Sequence, residues 1–483
     1  MWTSSLPSQP FTGTNKDDDH LNLPNDLESQ VGPPPRHVTF KGRPAQTAAQ
    51  LRSRTDEENA FPKSAVEEER RGSGADSEVS KEHVGGGLSE RVTWKDRLQL
   101  FTWNWFTMVM ATGGIANAIN SIPFKFKGLT TIGNAFLILT IILFITCCIL
   151  ITIRFCSRPG SFKQSFLEPS ESLFIPASVV SCGVMLMAFA KYGVPSSGKW
   201  LQTGLEVCFW VYAAMAFLSS CAIYVILWST QQFSLRDMTP IWVFPVYPLL
   251  IVAPLAASLI NSVPTQTDTL RISSKTIIVG AITLQGTGFL VSALIYSAYL
   301  YRLMTNGLPS SRQLPSMFVS VGPAGFTATG VIQLGTLASK AIPVTKVGSA
   351  ETVSVIVRVL AYAVGLVIWG FAIWFFVLSV FGQWSLLLDR RRNSSYHQNK
   401  NEHKNKNENG RIKFDVTFFA YVFPNSALVS ATHMVGRAFE NDVVEILGTV
   451  FGVTLILVWV VVFGKTVWVV WRKRLLWPAE KEV

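Results

Sequence analysis

The residues between Met317 and Gly330 combine hydroxyl groups with residues that break helices. Pro323 removes a backbone N–H donor, Gly322 leaves the backbone uncovered, and Thr329 adds a hydroxyl. Such groups can hydrogen-bond a small anion or line a polar path. Within a bilayer, a broken polar helix is tolerated where it lines a cavity or is buried in protein. The stretch therefore predicts either one wall of a pathway or a site of close helix packing.

Four other apolar segments carry the same mixture of small, hydroxyl-bearing and helix-breaking residues. They are the first, third, fifth and ninth along the chain, and the stretch above belongs to the seventh. Their hydroxyls are candidates for binding a substrate, and their glycines and prolines for shaping a path. The candidate hydroxyls are Thr112, Ser181, Thr329 and Ser426. The candidate shaping residues are Gly113, Gly114, Pro176, Pro248, Gly322, Pro323 and Pro424.

The composition predicts a membrane protein. Of the 483 residues 49% are hydrophobic and only 15% are charged, whereas soluble domains carry about 25% charged residues. The net charge of +11 comes from Lys and Arg in loops beside apolar segments, so it does not indicate nucleic-acid binding. The six cysteines lie in or beside apolar segments and predict no disulfide framework.

Ten apolar segments predict an all-α integral membrane protein with ten transmembrane helices. The odd-numbered segments contain the helix breakers, and the even-numbered segments are dense in Leu, Ile, Val, Phe and Trp. This alternation predicts five tandem hairpins, with the odd helices around a central pore and the even helices facing lipid. The alternative is that the prolines have no such role, since they are common in membrane helices. The segments are 103–121, 130–153, 171–190, 203–228, 240–261, 276–300, 316–339, 353–382, 414–433 and 443–470.

Polar composition sets the domain boundaries. Residues 1–92 predict a disordered cytoplasmic tail, 93–475 the ten-helix transporter domain and 476–483 a short cytoplasmic tail. Residues 390–413 predict a disordered cytoplasmic loop within that domain. Lys and Arg are roughly twice as frequent on the side of the termini, which places both termini in the cytoplasm of a multi-pass cell-membrane protein. No apolar run follows Met1, so no cleaved signal peptide is expected.

Residues for enzyme chemistry are sparse. The sequence shows no metal-ligand spacing, nucleotide-binding loop or Ser/His/Asp set, so no catalytic residue, metal or cofactor is expected and an enzyme is not predicted. A path lined by hydroxyls, without fixed carboxylates at its centre, suits anions. Lys125 and Lys127 on one side, and Arg154 and Arg158 on the other, could attract them.

Three stretches resemble a known family. Residues Phe101–Gly114, Met317–Phe326 and Phe414–Pro424 are similar to motifs of the first, seventh and ninth helices of the tellurite-resistance/dicarboxylate transporter family, which includes slow anion channels. The resemblance covers about residues 95 to 475. It implies five tandem hairpins around a central pore, often in a homo-trimer. It also implies that Phe423 plugs the pore; the alternative is that this ring only packs.

The branch of the family follows from two short motifs. Ala111–Gly114 and Val321–Ala328 resemble the malic-acid permeases more than the sulfite pumps. The resemblance implies transport of malate or another C4-dicarboxylate across the plasma membrane, with a small anion and the lipid bilayer as partners. A sulfite efflux pump and a gated anion channel are the alternatives.

Overall fold

The computed structural model describes residues 94–197, 199–262, 274–338, 349–397 and 414–472, and this part of the chain is helical without any β-strand. The predicted N-terminal tail, the loop residues 398–413 and the C-terminal tail lie outside the described residues. Residues 390–397, predicted as loop, continue a long helix. The principal helices are α1 (Phe106–Ser121), α2 (Leu129–Ser157), α3 (Pro176–Ala188), α4 (Lys199–Thr230), α5 (Val252–Asn261), α6 (Ser274–Asn306), α7 (Val321–Thr336), α8 (Ala350–His397), α9 (Phe423–Ala438) and α10 (Asp442–Trp471).

The chain is a multi-pass membrane protein by the length and composition of these helices. Seven described helical stretches are long and apolar enough to cross a bilayer, and a bent pair makes an eighth. Helices α1 and α9 have 16 residues each, or about 24 Å at 1.5 Å per residue. This is less than the bilayer core of roughly 30 Å. The ten-span arrangement therefore stays a prediction.

Four of the odd-numbered helices are preceded by a short 3₁₀ segment. These segments are Trp103–Trp105, Pro240–Val246, Leu314–Ser320 and Val416–Tyr421. Proline explains the break most clearly before α5, where two helical pieces meet at 71° around Pro248. The carbonyl of Pro248 is satisfied by the Tyr212 hydroxyl, which donates to it at 2.8 Å.

Burial separates the odd-numbered from the even-numbered helices. The spans Pro169–Ser197 and Leu314–Thr336 contain α3 and α7. In their most apolar 18-residue stretches, 67% and 89% of the residues are buried. In the five even-numbered spans that share is between 22% and 33%. Small residues allow this close packing of the odd helices, since a helix bearing Gly, Ala and Ser can approach its neighbours on all sides.

Helix α10 shows how an even-numbered helix is built. Its buried residues are spaced by alternating steps of four and three, which places them along one stripe of the helix. Its other faces expose large apolar side chains such as Val443, Leu457 and Trp471. Helices with one buried stripe and apolar exposed faces suit a position between protein and lipid. The stripe consists of Gly448, Gly452, Leu455, Trp459, Val462, Thr466 and Val469.

The odd-numbered helices contact one another in a closed ring. α1 packs against α3, α3 against α5, α5 against α7, α7 against α9, and α9 against α1 again. Each odd helix also packs against the even helix that follows it in the chain.

A buried ion pair ties α2 to the segment before α3. Arg154 and Glu171 form a bidentate salt bridge, and Arg154 Nη1 also donates to the Phe101 carbonyl at 3.0 Å. The side chains are only 12% and 7% exposed. Removing one charge would leave the other buried without its partner, which typically costs 3–5 kcal/mol.

We therefore expect Glu171→Gln to lower the free energy of unfolding in detergent by about 3 kcal/mol. Glu168→Gln is the matched control, because Glu168 is exposed and its side chain meets only the Ser170 hydroxyl. Chemical denaturation followed by tryptophan fluorescence measures both. Equal stabilities of the two variants would contradict a stabilising role for the pair.

Candidate functional site

Three cavities follow one another through the ring of odd-numbered helices. The widest, the mouth, has a volume of about 440 Å³ and lies at the C-terminal ends of the helices. The neck, of about 20 Å³, shares Ser121, Lys191 and Gln333 with the mouth. The basal cavity, of about 30 Å³, lies at the N-terminal ends and shares Phe423 with the neck. Because neighbouring cavities share lining residues, the three cavities form one path through the ring. The path is interrupted at Phe423.

Phe423 occupies the interruption because of its place at the start of α9. It is the first residue of the helix, and its side chain is 3% exposed. Its ring centroid lies 5.2 Å from that of Phe326 and 6.1 Å from that of Tyr247. Gly114 lies opposite, where an added Cβ would come within 3.3 Å of Phe423 Cδ2. The ring therefore fills the path against an aromatic wall on one side and a bare backbone on the other.

The neck brings together two of the four predicted hydroxyls. Thr329 and Ser426 both line it, with Gly114 and Asn117. Their hydroxyls donate within their own helices, Thr329 to the Gly325 carbonyl at 2.9 Å and Ser426 to the Phe423 carbonyl at 2.6 Å. A hydroxyl group has a single hydrogen, and here that hydrogen is already donated to a backbone carbonyl. Each hydroxyl must therefore give up this bond before it can donate to an anion.

The other two predicted hydroxyls lie outside the lining of all three cavities. Thr112 accepts a hydrogen bond of 3.2 Å from Trp459 Nε1 of α10, so it joins α1 to an even-numbered helix. Ser181 donates to the carbonyls of Phe106 and Ala177, between α1 and α3. The structure therefore gives both residues packing contacts.

The predicted shaping residues take different places. Gly114 lines the neck and Pro424 lines the basal cavity. The others lie within the packed ring: Gly113 faces Val184, Gly322 faces the Tyr247 hydroxyl, Pro323 is buried in the first turn of α7, Pro176 begins α3 and Pro248 marks the bend before α5.

Two cations in the mouth were missed by the sequence reasoning. Lys191 lies on a π-helical turn, Phe189–Gly193, that continues α3, and Arg437 lies in the last turn of α9. The predicted third and ninth segments end at residues 190 and 433, so both cations lie beyond their ends. The available signal was their position directly after an apolar helical run.

The cations that the sequence did favour lie elsewhere. Lys125 and Lys127 are exposed on the loop between α1 and α2 and are not in the lining of the mouth. Arg158 is also exposed, and Arg154 is held by Glu171.

Helix ends set the electrostatics of the path. The basal cavity is bordered by the first residues of α1 and α9 and by the 3₁₀ segment that leads into α7, so it lies near the partly positive ends of these helices. The mouth meets the opposite, partly negative ends. An anion is favoured by helix ends near Phe423, as in transporters with broken helices, and must be favoured by side chains at the mouth.

Comparison with known proteins agrees with a path for anions. The profile of a family described as voltage-dependent anion channel matches residues 100–467, which contain α1 to α9 and most of α10. A Schizosaccharomyces pombe protein provisionally named for malic acid transport is 30% identical over 81% of this chain and 85% of its own length. The malic acid transport protein of the same yeast is 28% identical over 75% and 77%. A sulfite efflux pump of Trichophyton rubrum is 24% identical over 80% and 94%.

Proposed function

The chain belongs to the voltage-dependent anion channel family, and on this premise we propose that it transports small organic anions along the path interrupted by Phe423. The observation that carries the proposal is the pair of cavities on the two sides of this ring, with polar groups in the neck and two cations in the mouth. No acidic side chain lines the three cavities in the part of the chain that the structure describes. Such a lining favours anions over cations.

We propose that ten helices cross the membrane as five tandem hairpins around this path. The 3₁₀ segments support this, since at about 2 Å per residue they extend α1 and α9 to roughly 30 and 36 Å. The closed contact ring of odd helices supports a central position of the path. With the excess of Lys and Arg on the side of the termini, the termini are cytoplasmic and the mouth opens to the outside of the plasma membrane.

The favoured substrate is a C4-dicarboxylate, with malate first. The two Schizosaccharomyces pombe relatives support this choice, because both are named for malic acid transport. Each alignment covers most of this chain and most of the relative. The volume of the mouth lies within the usual range for small-ligand sites.

Uptake of radiolabelled malate tests the proposal. The chain is expressed in cells lacking their own dicarboxylate carrier, and uptake is measured over a range of external pH. We expect saturable uptake that unlabelled malate competes away. Absence of uptake at every pH, with the protein shown at the plasma membrane, would exclude malate as the substrate.

Sulfite efflux is the second candidate, supported by the relative from Trichophyton rubrum. Overexpression would then confer sulfite tolerance without malate uptake. A gated anion channel is the third candidate, supported by the aromatic ring that interrupts the path. Anion currents in patch-clamp recordings, at rates too high for a carrier cycle, would favour it.

The resemblance of three helix motifs to the family also supports assembly as a homo-trimer. The large apolar side chains exposed on the even-numbered helices offer surface for contact with lipid or another copy. Mass measurement of the protein in native nanodiscs tests this, and a single-chain mass would contradict it.

A further inference from the structure

The mouth would repel anions if helix ends alone determined its charge. Its lining includes residues from the last turns of α1, α5, α7 and α9. Each helix end contributes a partial negative charge of roughly half a unit. An anion entering the path therefore needs positive side chains at this level.

Lys191 and Arg437 are the two basic side chains of its lining. Arg437 Nη2 donates to the Ser121 carbonyl at the end of α1, at 2.6 Å. Glu445 of α10 packs beside Gly436, yet no salt bridge joins it to Arg437 among the described side chains. The Lys191 side chain has neither a hydrogen bond nor an ion pair within the described part of the chain.

Lys191 and Arg437 line the same cavity, and side chains of like charge repel each other. Side chains of like charge facing one cavity are held at a cost in free energy, which a ligand of opposite charge offsets. Their charges offset the partial negative charges of the helix ends, and each cationic group can still pair with one anionic group of a ligand. The arrangement therefore favours a ligand with two separated negative charges.

A third polar group lies where the mouth narrows to the neck. Gln333 lines both cavities, and its amide oxygen is buried without a hydrogen-bond partner in the described structure. Its amide nitrogen meets only Met434 Sδ, at 3.5 Å. The amide nitrogen can donate to a carboxylate oxygen of a ligand that passes from the mouth to the neck, whereas the amide oxygen can only accept, as from a ligand hydroxyl.

We propose that Lys191 and Arg437 form a binding site for a doubly charged anion, each cation pairing with one carboxylate, with Gln333 as a further hydrogen-bonding group toward the neck. The proposal rests on the proposed function, since it names the charge class of the transported anion. On this proposal the mouth selects the doubly charged anion, and the Phe423 ring closes the path.

Binding to the purified protein tests the site separately from transport. Thermal stabilisation is measured against malate and against singly charged lactate, at equal ionic strength and at a pH where both malate carboxylates are ionised. The wild-type protein should bind malate at least about tenfold more tightly. Lys191→Met should remove most of this preference, and Lys191→Arg should retain it. Lys127→Met is the matched control, since it removes an exposed lysine on the loop that follows α1.

Arg437→Lys provides a second variant that keeps the charge while weakening the contact with Ser121, and it should keep the preference for malate. An unchanged preference for malate over lactate in Lys191→Met, including equal weakening of both ligands, would overturn the proposal. Binding of malate without uptake would retain the site and reject transport of malate. Uptake of malate with no preference over lactate in binding would retain transport and reject the site.

Discussion

Phe423→Ala is expected to raise anion flux by at least about tenfold, corresponding to about 1.4 kcal/mol or more removed from the barrier. The ring is the residue shared by the neck and the basal cavity, so its truncation joins the two spaces. The neighbouring ring of Tyr247 is held by a further contact, because its hydroxyl donates to the Val319 carbonyl at 2.5 Å. Patch-clamp current, or flux from reconstituted vesicles, gives the measurement.

Two variants control for this result. Phe423→Trp keeps an aromatic ring in the path and should keep flux low. Phe376→Ala makes the same truncation on α8, beside a lateral cavity that is separate from the path, and should leave flux unchanged. If Phe423→Ala and Phe376→Ala carried equal flux, the ring would be a packing residue.

Gly114→Leu is expected to reduce transport at least about tenfold, because the new side chain would fill the narrowest part of the path. Even a Cβ at this position would lie 2.6 Å from Ser426 Oγ and 3.3 Å from Phe423 Cδ2. The neck has only about 20 Å³ of free volume, against about 440 Å³ in the mouth. Malate uptake at equal surface expression gives the measurement.

The matched control is Gly464→Leu on α10, where no atom lies within 4 Å of an added Cβ. It should retain transport. A Gly114→Leu protein that folds, reaches the membrane and transports at the wild-type rate would place the path elsewhere.

The helices could be predicted from the sequence because membrane segments that face lipid differ in composition from those that pack inside the protein. Helices against lipid need only apolar side chains, as on α10, whereas helices inside the ring need small residues. Each of the ten predicted segments contains or overlaps one principal helix. The membrane topology and the hairpin arrangement stay predictions, because length and composition alone do not fix the path of α1 and α9 through a bilayer.

The individual contacts were less accessible, because composition does not fix the rotation of a helix. Thr112 and Gly114 are two residues apart, so they point about 200° apart around α1. Gly114 consequently lines the neck while Thr112 meets Trp459. Lys191 was missed for a related reason, since a single π-helical turn extends the helix and brings the side chain to the mouth.

The closed ring has a consequence for the order of synthesis. Two hydrogen bonds join α1 to the last two helices: Arg437 of α9 donates to the Ser121 carbonyl, and Trp459 of α10 donates to the Thr112 hydroxyl. Their partners lie 316 and 347 positions apart in the chain. At 5–20 residues per second, the ribosome needs roughly 15–70 s to pass from one partner to the other. During this interval Thr112 and Ser121 of α1 lack the partners that α9 and α10 later supply. The ring of odd-numbered helices therefore closes only after α9 has been synthesised, and the cavities that it encloses form only then.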